Sequence, residues 1–396
     1  MARQWVRSAA RLGLAAALGA VVAGVAVYAA TDVHAGPPPG LRRRPSATAR
    51  DGETSSTTSG STAASPPLRV LGVAPPDGAT GVAGSTPIEI DLSAAPARDS
   101  ALPTISPHVP GRWDVSGTTL RFVPSEPFLP LTDVTVTVPA GPQGLTGADG
   151  ASLAEAVVTH FTVRNGSVLR LQELLSLLDY SPLAFTSAAP EPAASDEPAQ
   201  RAALFDPPRG RFAWRNAGWP VQLLRLWRPG ADNVMTRGLV MSFQADHGLT
   251  PNGQLTEALW ASLLGALASG DVNTGGYNYA LANQQPPETL TIWHDGTIVL
   301  RSAANTGIPQ SPTADGTFPV YSRLRSQVMT GTNPDGSHYA DPVQYVAYFN
   351  GGDAVHYLPR AEYGIPQSLG CIELPLQAAA QAWPYLAYGT LVTVIN

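Results

Sequence analysis

The sequence predicts a multidomain, mainly β protein in four parts: an N-terminal apolar helix, a β-sandwich, a small helical region and a β-rich C-terminal domain. Three observations carry this. The 396 residues exceed one ordinary domain. The apolar pattern changes period along the chain, from two to about 3.6 and back to two. A stretch rich in Pro, Ser, Thr and Gly separates the first part from the rest. The chain is 44% hydrophobic, enough for real cores, but only 14% charged, below the roughly 25% of soluble domains. Lysine is absent. A net charge of −6, with no arginine cluster outside Arg42–Arg44, excludes nucleic acid as a partner.

Residues 1–35 read as an export signal or an N-terminal membrane anchor. Arg3, Arg7 and Arg11 precede an uncharged apolar run from Leu12 to Ala30, followed by Val33-His34-Ala35 with small residues at its first and last positions. The run is close to the ~20 residues that span a bilayer, so cleavage and retention stay open. Either way the sequence implies an extracytoplasmic protein, with the membrane a partner only if the segment is kept. Residues 36–67 lack large apolar side chains and read as a disordered linker.

Residues 68–165 alternate short β runs with turn clusters. Leu68–Val73, Ile88–Leu92, Thr119–Val123, Val134–Val138 and His160–Val163 have the period of half-buried strands, and Pro75-Pro76-Asp77-Gly78 and Pro124-Ser125-Glu126-Pro127 mark turns. That spacing predicts an antiparallel sandwich. The stretch from Ala74 to Val82 resembles the bacterial Ig-like domains of surface proteins, which implies spacing or wall contact without chemistry.

Residues 166–268 are predicted helical. Leu171, Leu174, Leu175 and Leu178 recur at helical spacing; Thr236 to Gln244 and Ala258-Leu259-Trp260 follow. With the Asn252-Gly253 turn, this order resembles the three-helix peptidoglycan-binding module, interrupted by a long insert. Trp214, Trp219 and Trp227 in the insert either pack the module or face sugars, with packing the plainer reading. Leu171, Phe243 and Trp260 are core candidates.

Strand patterns return in residues 275–396. Thr289–Trp293, Asp295-Gly296 and Ile298–Ala303 read as a hairpin with a two-residue turn. Val320–Tyr321, Tyr345–Phe349, Ala354–Leu358 and Leu391–Ile395 continue the strands, and one short helix is expected between Leu376 and Leu386, disturbed by Pro384.

Cys371 is the only cysteine. In an exported chain a lone cysteine is buried and inert, bonded to another chain, or a reactive thiol. Its surroundings favour the last. Gly307, Pro312-Thr313 and Gly316-Thr317-Phe318 precede His356, Gly364 and Ser368-Leu369-Gly370-Cys371-Ile372-Glu373. A thiol with its ordinary pKa of about 8.5 is mostly protonated at pH 7, and an imidazole within reach can take that proton.

These residues, in this order, resemble the catalytic domain of the L,D-transpeptidases. The resemblance implies Cys371 as nucleophile and His356 as base. It also implies Ser368 as a residue that orients the imidazole or lines the oxyanion hole, with the backbone of Gly370 and Cys371 holding the oxyanion. The implied partners are peptidoglycan stems: a tetrapeptide donor held as a thioester, and the amine of a second diamino acid as acceptor, giving a 3→3 cross-link. Tyr339, Tyr357 and Arg360 either shape the donor groove or simply pack. No cofactor or metal is implied. Since the motif is complete within residues 275–396, that domain is expected to act alone.

Two positions depart from the commonest family pattern: Leu369 where histidine is frequent, and Glu373 where a basic or amide residue is. A zinc site needs three or four clustered ligands, and a papain-like peptidase has its cysteine before its histidine; neither fits. Two rivals remain: a non-catalytic wall-binding protein, and a carboxypeptidase in which water resolves the same thioester.

Overall fold

A computed structural model describes residues 66–396, so the signal or anchor and most of the linker lie outside the described residues. Among those described, no helix is long and apolar enough to cross a membrane.

The first domain is a sandwich of two four-stranded sheets. Its strands are β1 (Val70–Ala74), β2 (Ala79–Val82), β3 (Ile88–Leu92), β4 (Thr104–Ser106), β5 (Gly111–Ser116), β6 (Thr119–Pro124), β7 (Asp133–Val138) and β8 (Val157–Val163). The sheet orders are β1-β3-β6-β5 and β2-β8-β7-β4. Alternation sets the faces. Ile88, Ile90, Leu92, Val134, Val136, Val138 and Phe161 point into one core, while Glu89 and Asp91 stay outside, bonded to Arg121 and Thr119 across the strands.

The middle region is less uniform than the sequence suggests. Helix α1 (Val168–Leu177) leads to a hairpin of β9 (Leu183–Ser187) and β10 (Gly210–Trp214), with α2 (Glu197–Ala203) between the two strands. Then come α3 (Val221–Leu224), α4 (Val234–Asp246) and α5 (Glu257–Ser269). Ser167, Asn233 and Thr256 cap α1, α4 and α5 by accepting hydrogen bonds from first-turn N–H groups. Leu171, Phe243 and Trp260 are core residues, and Trp214, Trp219 and Trp227 pack against the same core. A polar knot pins the insert to α1. Arg170, fully buried, donates to Glu173 at 3.0 Å, Glu191 at 3.2 Å and Gln200 at 2.8 Å.

The C-terminal domain stacks a five-stranded sheet, β13-β12-β11-β19-β14, and a four-stranded sheet, β15-β16-β17-β18. The strands are β11 (Asn278–Asn283), β12 (Thr289–His294), β13 (Thr297–Ala303), β14 (Gly316–Pro319), β15 (Ser322–Thr332), β16 (His338–Asn350), β17 (Asp353–Tyr357), β18 (Ile372–Leu374) and β19 (Leu391–Ile395). Asp295 and Gly296 both take positive φ, 47° and 79°, as a two-residue type I′ turn requires. Helix α6 (Leu376–Ala382) tightens into a 3₁₀ turn over Trp383–Tyr385 at Pro384. Val320 and Tyr321 form no strand; they are the corner where the chain leaves one sheet for the other.

This domain is not separate from the helices. Tyr277, Tyr279, Trp293 and Leu391 lie in the same core as Phe243 and Trp260. At the seam, Gly238 of α4 and Gly389 approach so closely that a Cβ on either would overlap the other's carbonyl oxygen. Ser242 donates to the Tyr388 carbonyl at 2.8 Å. The expectation that residues 275–396 stand alone therefore meets a shared core.

Candidate active site

Strands β17 and β18 run parallel, with His356 beside Glu373 and Val355 beside Ile372. The period of two then sorts the side chains. Val355, Tyr357, Ile372 and Leu374 enter the core between the sheets. Ala354, His356, Cys371 and Glu373 share the other face, where a cleft of about 760 Å³ opens. The cleft brings together Cys371, His356, Tyr339, Arg360, Leu369 and Glu373. Tyr357 is not among its lining residues: it packs on the core opposite His356, so the groove role expected for it is corrected to packing.

The loop before Cys371 is held from two sides. Ser368, buried, donates its hydroxyl to the Cys371 carbonyl at 2.6 Å and accepts from the Gly370 N–H at 3.2 Å. It makes no hydrogen bond to His356, so its place is to brace the turn. The Gly370 N–H is consumed in that turn, which removes it as an oxyanion donor in this arrangement. Gly370 itself has φ 114°, and a Cβ there would overlap the Asp353 carboxylate. Its smallness makes room for Asp353.

The early half of the motif props up the late half. The Ser368 N–H donates to the Thr306 carbonyl and the Ile308 N–H to the Ser368 carbonyl, both at 2.9 Å. Asn305 and Glu373 exchange backbone hydrogen bonds at 3.0 and 2.9 Å. Ser311 donates to the Leu369 carbonyl at 3.0 Å, and Thr313 accepts from the Gly307 N–H at 2.9 Å. Gly307, Pro312 and Thr313 therefore shape the loop on which Cys371 sits, which is why both halves belong to one pattern.

The charges are arranged unexpectedly. Glu373 is buried and takes Arg360 in a two-pronged pair at 2.8 and 2.6 Å. Its carboxylate fixes Arg360. Burial pushes the half-buried Cys371 thiol up to about 12, with Asp353 and Glu373 adding and the Ala354 backbone opposing. Burial pushes the His356 imidazole down, against the pull of the Tyr357 backbone and of Glu373. Both groups are thus neutral at rest. His356 Nδ1 is buried with no hydrogen-bond partner, an unusual state for a polar atom inside a protein. The Tyr339 hydroxyl is pushed up by burial and by Cys371.

Sequence reasoning passed over Asp353, Asp341, Tyr348 and Met329, which also line the cleft. Met329, Asp341 and Tyr348 stand on β15 and β16 and are brought in by strand pairing, whereas Asp353 opens β17 three residues before His356.

Residues 278–394 match the family model of the L,D-transpeptidase catalytic domain, and residues 64–163 that of a bacterial Ig-like domain. No curated protein matches the chain. Among solved structures, an L,D-transpeptidase from Mycobacterium smegmatis is 15% identical over 84% of this chain and 100% of its own, with a TM-score of 0.28. L,D-transpeptidase 3 from Mycobacterium tuberculosis is 14% identical over 83% of this chain and 98% of its own, at 0.29. The catalytic domain of an E. faecium L,D-transpeptidase is 27% identical over 30% of this chain and 96% of its own, at 0.28. The chain thus contains an L,D-transpeptidase catalytic domain over residues 278–394, preceded by a bacterial Ig-like domain over residues 64–163.

Proposed function

We propose that this protein cross-links peptidoglycan outside the cytoplasm, as a cysteine-dependent L,D-transpeptidase with Cys371 as nucleophile and His356 as base. The observation that supports it most is the placing of a thiol and a buried, hydrogen-bond-deficient imidazole on one face of two paired strands, in a cleft.

Because thiol and imidazole are neutral at rest, the proton leaves Cys371 as the sulfur attacks. Cys371 Sγ bonds to the carbonyl carbon of the donor stem's third residue while its proton passes to His356. The developing oxyanion turns to the Cys371 N–H, the remaining donor of the two expected. His356 returns its proton to the departing amine of the terminal D-alanine, leaving a thioester. The amine of a second stem then resolves the thioester and restores the thiol. One oxyanion donor is worth roughly 3 kcal/mol in such chemistry, so the turn that Ser368 braces matters as much as the base. Arg360, locked to Glu373, is a fixed positive edge of the donor groove, with Tyr339 across the cleft. The sandwich and the helical region would hold the catalytic domain against the wall.

The reading is tested by incubating the protein with a disaccharide-tetrapeptide and resolving the products by mass spectrometry. A 3→3 dimer supports it. Hydrolysed tripeptide alone would make the protein a carboxypeptidase, and no product together with an inert Cys371 would make it a wall-binding scaffold.

A further inference from the structure

One charged group beside Cys371 has no task in the mechanism above. Asp353 opens β17 and lines the cleft. Carrying the register of β17 and β18 two residues back from Val355 and Ile372 sets Asp353 beside Gly370, consistent with the carboxylate oxygen occupying the space a Cβ there would need. Asp353 thus lines the same cleft as Cys371 and His356, its carboxylate lying against Gly370, the residue before the thiol. Asn350 Nδ2 donates to Asp353 Oδ2 at 3.2 Å, while among the described residues no donor reaches Oδ1. Among the described residues, Arg360 is the one cation lining the cleft, since His356 is neutral, and it is committed to Glu373. Nothing in the cleft neutralises Asp353.

We propose that Asp353 receives the ammonium group of the acceptor and removes its first proton in the second half-reaction. This rests on the transpeptidase reading and adds a second base to it. An amine near pH 7 is largely protonated and cannot attack a thioester until it loses a proton. His356 and Asp353 both line the cleft with Cys371, and Asp353 Oδ1, which accepts no hydrogen bond from the described residues, is open to the ammonium of a second stem. In the step, the ammonium gives one proton to Asp353 Oδ1, and the freed nitrogen lone pair bonds to the thioester carbon. The nitrogen's second proton passes through His356 to sulfur as the C–S bond breaks. The products are an amide, the Cys371 thiol and one proton, which Asp353 gives up to water. Burial holds the Asp353 carboxyl above the usual range, which makes it a stronger base than an ordinary aspartate.

The test separates acylation from transfer in the full chain. With the disaccharide-tetrapeptide as donor and acceptor, Asp353→Asn lowers the ratio of dimer to hydrolysed tripeptide by roughly 10²-fold, the scale of a positioned base. Carbapenem acylation, measured separately, changes far less. Hydroxylamine, an amine already unprotonated near pH 7, consumes the thioester of the variant at the wild-type rate, which a merely structural role for Asp353 would not yield. Asn350→Ala, which removes the one hydrogen bond that positions the carboxylate, lowers the product ratio by a smaller factor through misplacement of Oδ1 and carries the test if the first variant does not fold. An unchanged ratio in these variants overturns the proposal, as does an equal fall in acylation and transfer. A wild-type protein that never acylates would instead overturn the transpeptidase reading, and this proposal with it.

Discussion

The sandwich and the helical region both bury apolar faces, in opposite ways. The sandwich closes its core from its own strands and touches the helices at its edge, where Phe205 packs against both cores and Trp260 Nε1 donates to Asn165 at 3.2 Å. The helices complete theirs only with Tyr277, Tyr279, Trp293 and Leu391 of the catalytic domain. The family resemblance of residues 275–396 marks a unit of chemistry; the shared core marks a larger unit of folding. A motif complete in sequence is therefore no guarantee of a piece complete in structure.

The largest expected effect follows from cutting at the wrong seam. A piece spanning residues 166–396 should fold and acylate with a carbapenem at close to the full chain's rate. One starting at residue 270 bares Tyr279 and Trp293 and should lose cooperative unfolding and acylation together. Equal activity of the two pieces would break the comparison.

Matched core truncations sharpen it. Phe161→Ala in the sandwich and Phe243→Ala in the helices should each cost ~3–5 kcal/mol of local stability. Followed by denaturant unfolding, only Phe243→Ala should also lower the midpoint for loss of acylation.

A smaller effect concerns pH. Burial raises Glu173 to about 7 against the opposing pull of Arg170, from 4.5 in the unfolded chain. The folded state holds that proton more tightly, so the contribution to stability is full below about pH 4.5, declines as pH rises to 7, and is constant above. Glu173→Gln should remove that slope from the melting temperature of the helical region. The sandwich, with no such group in its core, should show none of it in either protein.

The smallest effect lies in the cleft itself. Leu369→His should alter carbapenem acylation by about tenfold at most, one ~1.4 kcal/mol interaction. A change beside the nucleophile would then matter less than one in the distant shared core. An inert wild type rescued by this change would reverse that order.

What the sequence revealed follows the same divide. Strands with one buried face, such as Ile88–Leu92 and Val134–Val138, announce themselves by alternation. Strand β15 does not: no residue of it is fully buried, and its polar sequence pairs along β16 over the cleft. The β9–β10 hairpin is hidden by an intervening helix. At the site, residue type and order singled out Cys371 and His356, which line one cleft. The face of Tyr357 was legible too, since a strand through His356 must turn its neighbour away, which decides between the two readings, groove or packing, in favour of packing. Asp353 was not legible, because alternation from His356 assigns it to the core face and only its packing against Gly370 brings its carboxylate to the cleft.

The central claim is that Cys371 forms the acyl bond and His356 moves its proton. Intact-mass measurement of carbapenem acylation over time tests it most directly, comparing the wild type with Cys371→Ser and His356→Ala. The account predicts one adduct on wild type, none on Cys371→Ser because a serine hydroxyl is far less acidic, and a rate lower by roughly 10²–10⁴-fold in His356→Ala. An adduct that persists in Cys371→Ser, or a His356→Ala protein that acylates as fast as wild type, would contradict it.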